Sequence, residues 1–111
     1  MKKHLVMMSG SIACAKATGL ISEWVKRGDE VQVLATDSAL EFVGLATLEG
    51  LSQRPVMTDT FEAGGMMEHI HVSRWANELV LCPATANTIN KLAAGIADDV
   101  LVTTWIAAHA L

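Results

Sequence analysis

The stretch "HLVMMSGSIACAKATGLISEWVKRG", residues 4–28, decides how the rest of the chain is read. Leu5 to Met8 is a short apolar run of the kind that fills a buried strand. Ser9-Gly10-Ser11 breaks the run. From Ile12 to Arg27, apolar residues recur at helical spacing at Ala13, Ala17, Leu20, Ile21 and Trp24, while Lys16, Glu23, Lys26 and Arg27 take the other faces. Lys26 and Arg27 suit the negative end of the helix dipole, and Gly28 suits the residue beyond it. The stretch therefore reads strand, turn, helix. A signal-peptide reading of the same basic start fails, because His4 and then Ser9-Gly10-Ser11 interrupt an apolar segment that is already too short.

Working outward, the alternation continues. Glu30 to Thr36 is rich in β-branched residues and predicts a second strand. Asp37-Ser38 predicts the cap of a helix from about Ala39 to Leu45. Pro55 opens a short third strand near Val56-Met57, and Thr58 to Met67 is polar and glycine-rich, which predicts a loop. Glu78 to Cys82 reads as the next strand, ended by Pro83. Thr85-Ala86-Asn87-Thr88 starts a helix that runs to Ala94 and stops at Gly95. Asp98-Asp99 caps a last helix. Strands alternating with helices predict an α/β fold, a doubly wound parallel sheet, in one domain over residues 1–111. The last helix is apolar to its end, where a return to a further strand is expected, so the domain reads as truncated before its last strands.

Composition narrows the class. Of 111 residues, 51% are apolar and 18% charged, which favours a packed globule over disorder. A net charge of -4, with no cluster of Lys or Arg, argues against a nucleic-acid surface. No apolar run approaches the roughly 20 residues of a membrane helix. Cys14 and Cys82 lie far apart, which reads as two reduced thiols in a cytoplasmic protein. His69 and His71, in "EHIHVSRWA" (68–76), lack two further ligands at zinc-type spacing, so no metal is predicted. On residue type alone both read as solvated positions.

Three strand ends open into small, hydroxyl-bearing residues: Ser9-Gly10-Ser11, Thr36-Asp37-Ser38 and Thr85-Ala86-Asn87-Thr88. Ser, Thr, Asp and Asn are also the usual N-caps, so each turn taken alone can be ordinary capping. Together, on the edge where open parallel sheets hold their ligands, they can form an anion site from backbone N–H groups and hydroxyls. Neither GxGxxG nor GxxxxGK[ST] is present, which favours a mononucleotide-like ligand over NAD or ATP.

"SGSIACAK" (9–16), "HIHVSRWA" (69–76) and "PATANTINKLAAGIADD" (83–99) resemble the flavin-containing cysteine decarboxylases, most closely the phosphopantothenoylcysteine decarboxylase branch. The resemblance runs in order along nearly the whole chain. It implies a Rossmann-like, flavodoxin-type fold that binds FMN. Ser9, Gly10, Ser11 and Ile12 fall on the first cofactor turn, Thr36 and Ser38 on the phosphate-side turn, and Thr85, Ala86, Asn87 and Thr88 on the segment holding the flavin rings. His69 falls on the family's active-site histidine, whose imidazole would exchange a proton near neutral pH. Trp75 reads as a packing anchor.

The implied activity is FMN-dependent decarboxylation of 4′-phosphopantothenoylcysteine to 4′-phosphopantetheine in coenzyme A biosynthesis. The implied assembly is a homo-oligomer, a trimer or a dodecamer built of trimers. Two other readings share the motifs: a flavin-binding regulatory module without catalysis, and a peptidyl-cysteine decarboxylase. The sequence departs from the family pattern at Cys14-Ala15 and at His71. The family's later Pro-x-Met-Asn motif is not among these residues, which puts turnover by the 111-residue chain alone in doubt.

Overall fold

The computed structural model describes residues 2–58, 71–72, 74–82, 89–90, 93–94 and 104. In chain order the elements are β1 (Lys3–Met8), α1 (Cys14–Lys26), β2 (Glu30–Ala35), α2 (Asp37–Leu40), α3 (Leu45–Ser52) and β3 (Glu78–Leu81). The three strands form a parallel sheet in the order β2-β1-β3. Beyond β2, Met57 adds one parallel bridge to Leu34, so the predicted third strand is reduced to a single rung.

Alternation along the strands sorts side chains onto two faces. Val6, Met8, Val31, Val33 and Ala35 face α1 and α3, where Cys14, Ala17, Ile21 and Leu48 meet them. Leu5, Met7 and Leu34 face the other way, against Met57, Val72, Ala76, Leu79 and Leu81. Both faces are covered, which is why β1 reads as an unbroken apolar run rather than an alternating one. Full burial of a residue such as Ile21 or Leu34 contributes about 1.5–3 kcal/mol. The sheet is doubly wound, as the alternation predicts.

Three local readings change. α1 starts at Cys14 rather than Ile12, and Leu20, expected on its buried stripe, is 38% exposed. The helix predicted over Ala39 to Leu45 is only the four-residue α2, capped by Thr36 rather than by Asp37-Ser38. α3 was not anticipated. It buries only Leu48 and Ser52, and it ends on Gln53 in the left-handed conformation (φ 61°). The predicted close of α1 holds: Gly28 adopts φ 89°, where a side chain would be strained. Backbone at 89–90 and 93–94 is helical within the span predicted as a helix to Ala94.

Candidate functional site

Every strand runs the same way, so every strand end lies on one edge. Met8 pairs with Ala35 and Met7 with Leu81. Backbone bonds extend that alignment past the strands: Thr36 N–H donates to the Met8 carbonyl at 3.1 Å, and Cys82 N–H donates to the Met7 carbonyl at 3.0 Å. The chain moves outward from β1 to β2 and then returns to β1's other side with β3. That reversal puts the topological switch point beside β1, where open α/β sheets leave a crevice for ligands.

Two of the three expected turns meet at this edge. Ser9 is buried, and its carbonyl accepts the Cys14 thiol at 3.3 Å. Gly10 and Ser11 are half-buried, and Ile12 stands 84% exposed beside them. The Ser11 hydroxyl accepts from Ala13 N–H at 3.2 Å, and the Ser11 carbonyl accepts from Cys14 N–H at 2.9 Å. Among the described residues, no backbone carbonyl accepts from the N–H of Gly10, Ser11 or Ile12. In the second turn, the buried Thr36 hydroxyl accepts from Ala39 N–H at 3.2 Å, while Ser38 is exposed. Ordinary capping thus occupies the acceptor side of Ser11 and Thr36. It leaves Ser38 and three N–H groups at the edge.

The turns touch. A Cβ built on Gly10 would lie 2.5 Å from Ser38 Cβ. The glycine lets the two turns come together, and their N–H groups with the Ser38 hydroxyl are donors of the kind that hold a phosphate group.

The remaining expected residues divide as follows. His69 and Thr85, Ala86, Asn87 and Thr88 lie outside the described residues. His71 is exposed and helical, and it does not join the turns. It lines a cavity of about 400 Å³ with Gln32, Arg54, Pro55, Met57, Val72 and Trp75. Trp75, expected as a packing anchor, is half-buried and outside both core clusters; the Arg54 guanidinium lies 4.6 Å from its ring centre and the Lys3 ammonium 5.8 Å away.

Sequence reasoning missed the cluster at the opposite edge, where His4 was taken only as a break in an apolar run. His4 is buried at 1% exposure. Its Nδ1 lies 2.5 Å from Glu78 Oε1, its Nε2 lies 2.9 Å from Asp29 Oδ2, and its ring stacks on Trp24 at 4.0 Å and 8°. The hydrogen bond with His4 is the main cause holding the Asp29 carboxyl below its ordinary range. Lys2 N–H and the charges of His4 and Arg27 act in the same direction, against a smaller opposing effect of burial. The available signal was weak: one histidine two residues into a strand, with partners 25 and 74 positions away.

An open parallel sheet whose first two post-strand turns meet at its carboxyl edge defines the class: an α/β protein of the kind that takes its ligands at that edge. The Flavoprotein family profile matches residues 1–110, and the chain belongs to that family. It is 46% identical over 108 residues to the coenzyme A biosynthesis bifunctional protein CoaBC of Bacillus subtilis (strain 168), covering 96% of this chain and 27% of that protein. The chain therefore spans about a quarter of the length of such curated relatives. Among solved structures, it superposes on the FMN-dependent cysteine decarboxylase TvaF from thioviridamide biosynthesis with a TM-score of 0.87 and 28% identity, covering 96% of this chain and 67% of that one. It also superposes on a PPC decarboxylase mutant complexed with pantothenoylaminoethenethiol, with a TM-score of 0.71 and 29% identity, covering 97% and 60%. The Rossmann-like fold expected from the motifs is the fold of these neighbours. Among the described residues, no helix is long and apolar enough to cross a membrane.

Proposed function

We propose that the chain is the flavoprotein part of an FMN-dependent carboxy-lyase that decarboxylates 4′-phosphopantothenoylcysteine to 4′-phosphopantetheine in coenzyme A biosynthesis. The observation that carries this is the junction of the Ser9-Gly10-Ser11 and Thr36-Asp37-Ser38 turns at the edge where the strands end, next to the switch point between β1 and β3. The likeness to the coenzyme A bifunctional proteins supports the choice of substrate.

In this reading Ser9, Gly10, Ser11, Ile12, Thr36 and Ser38 hold the phosphate end of FMN, and Thr85, Ala86, Asn87 and Thr88 hold its ring end. FMN, when bound, supplies the reversible two-electron oxidation that lets the cysteine-derived end accept the electrons released as CO₂ leaves. The protein supplies position and protons. N–H groups of the first turn and the Ser38 hydroxyl donate to the phosphate. His69 takes and returns a proton at the reacting end of the substrate. The working unit is a homo-oligomer, a trimer or a dodecamer, in the cytoplasm.

The test uses the intact protein. It is expected to purify yellow and to release CO₂ from 4′-phosphopantothenoylcysteine, and His69→Asn is expected to lower turnover by about 10²- to 10⁴-fold. Undiminished CO₂ release in that variant removes His69 from the mechanism. The higher TM-score to TvaF favours a second reading, decarboxylation of a peptide's cysteine. CO₂ release from a cysteine-terminated peptide, with none from 4′-phosphopantothenoylcysteine, would select it.

A further inference from the structure

Among the described glycines, Gly10 stands apart. Gly28 is demanded by its own backbone, at φ 89°. Gly19, Gly44 and Gly50 have open space where a side chain would go. Gly10 has neither property. Its φ is not in the left-handed region, so any residue could adopt its backbone conformation. What forbids a side chain is another turn: an added Cβ would sit 2.5 Å from Ser38 Cβ, 3.0 Å from Ser38 C and 3.2 Å from Ser38 O. Carbon atoms rest at roughly 3.5–4.0 Å, so the two turns could not keep their present spacing.

The strain would fall first on the exposed Ser38, although its neighbour Ala39 is buried in the core. Ser38 is exposed and sits in the four-residue α2. Below it, the pairing of Met8 with Ala35 and the Thr36 bond to the Met8 carbonyl lie on the sheet side of the contact. Pushing Ser38 outward bends α2's cap, the bond from Ala39 N–H to Thr36 Oγ1, before it disturbs a strand.

Resting on the FMN reading above, we infer that Gly10 and Ser38 are a matched pair of positioning residues. The absent side chain at 10 sets the gap between the two turns, and that gap sets the affinity for the cofactor's phosphate. In that reading the N–H groups beside Gly10 and the Ser38 hydroxyl would hold the phosphate, one turn each. A gap widened by about an ångström lets the phosphate reach only one turn at hydrogen-bond distance. The residues assigned to the flavin rings, 85–88, belong to neither turn, so riboflavin serves as the control that isolates the phosphate.

The experiment is a double-mutant cycle on the intact protein with Gly10→Ala, Ser38→Gly and the two combined. Affinities for FMN and for riboflavin, which lacks the phosphate, are read from quenching of flavin fluorescence, and melting of the cofactor-free protein is followed separately. Gly10→Ala is expected to weaken FMN binding on the order of tenfold or more and riboflavin binding much less. With Ser38→Gly already in place, the same substitution is expected to cost a clearly smaller factor, because the nearest atom it would strike is gone. A merely structural role would lower the melting temperature while leaving the ratio of FMN to riboflavin affinity unchanged. Equal FMN losses in both backgrounds, or equal losses for FMN and riboflavin, overturn the inference. Should Gly10→Ala alone fail to fold, recovery of folding in the double variant, with FMN affinity returning to that of Ser38→Gly alone, supports the pair, and its absence overturns it. Wild-type protein that takes up no FMN overturns the reading beneath and this inference with it. That outcome is distinct from wild-type binding with an uncoupled cycle.

Discussion

The two edges of the sheet are built on opposite principles. At the edge where the strands begin, His4, Asp29, Glu78 and Trp24 satisfy one another. With both ring nitrogens protonated the His4 imidazole donates to both carboxylates; in its neutral form it donates to only one. At the edge where the strands end, the turns are made of hydroxyls and a glycine, and part of their hydrogen-bonding capacity faces outward. Polar groups whose partners are inside the molecule belong to its stability. Polar groups that keep donors at a strand-end edge are the candidates for holding a ligand.

This contrast can be broken by experiment. The largest effect is expected from His4→Ala, which leaves a void against Trp24 and removes the shared partner of two carboxylates. The cofactor-free protein should lose about 2–4 kcal/mol in urea unfolding, while FMN affinity stays near wild type. A large fall in FMN affinity without loss of stability would merge the two edges into one site. Next comes Thr36→Ala at the other edge. Removing the cap on α2 should cost about 1 kcal/mol, and Thr36→Ser should recover most of it; no change in unfolding midpoint would mean that the hydroxyl serves only the ligand.

The smallest effect is a pH dependence. The folded Asp29 carboxyl lies below its ordinary value of 3.8. Its contribution is therefore fully present above that value and is lost as pH falls through the lower folded value. Asp29→Asn should flatten the acid limb of the stability curve, measured by urea unfolding from about pH 6 down to about pH 2. An unchanged limb would remove the carboxyl from the clasp.

Much of the sheet was legible because its signals are local. The apolar run of β1, the helical spacing through Ile21 and the glycine after Arg27 each speak for a few adjacent residues. The turns after β1 and β2 were legible for the same reason, since small residues directly after a strand mark a turn. α3 was not. Its N-cap is Gly44 with no side-chain hydrogen bond, Gly50 lies inside it, and only Leu48 and Ser52 are buried, so neither cap nor stripe announces it. What closes it is tertiary: the Ser52 hydroxyl donates to the Leu48 and Arg54 carbonyls, and Val56 N–H reaches Glu49. The His4 clasp is invisible for a related reason, because no window of sequence contains all its members. The Gly10–Ser38 contact was half legible: each turn could be seen, but not that one is shaped to the other.

The central position of β1 has a further consequence. Its first neighbour, β2, follows within one helix, but its second is β3, and the two are joined at His4 and Glu78 across 74 positions. A nascent chain leaving the ribosome can close β1 against β2 early. It must then carry the apolar flank of that pair unpaired until Glu78–Leu81 emerges. Such a delay slows folding and exposes a sticky strand edge. Synthesis speed and chaperone supply thereby become determinants of how much of this protein reaches its native form.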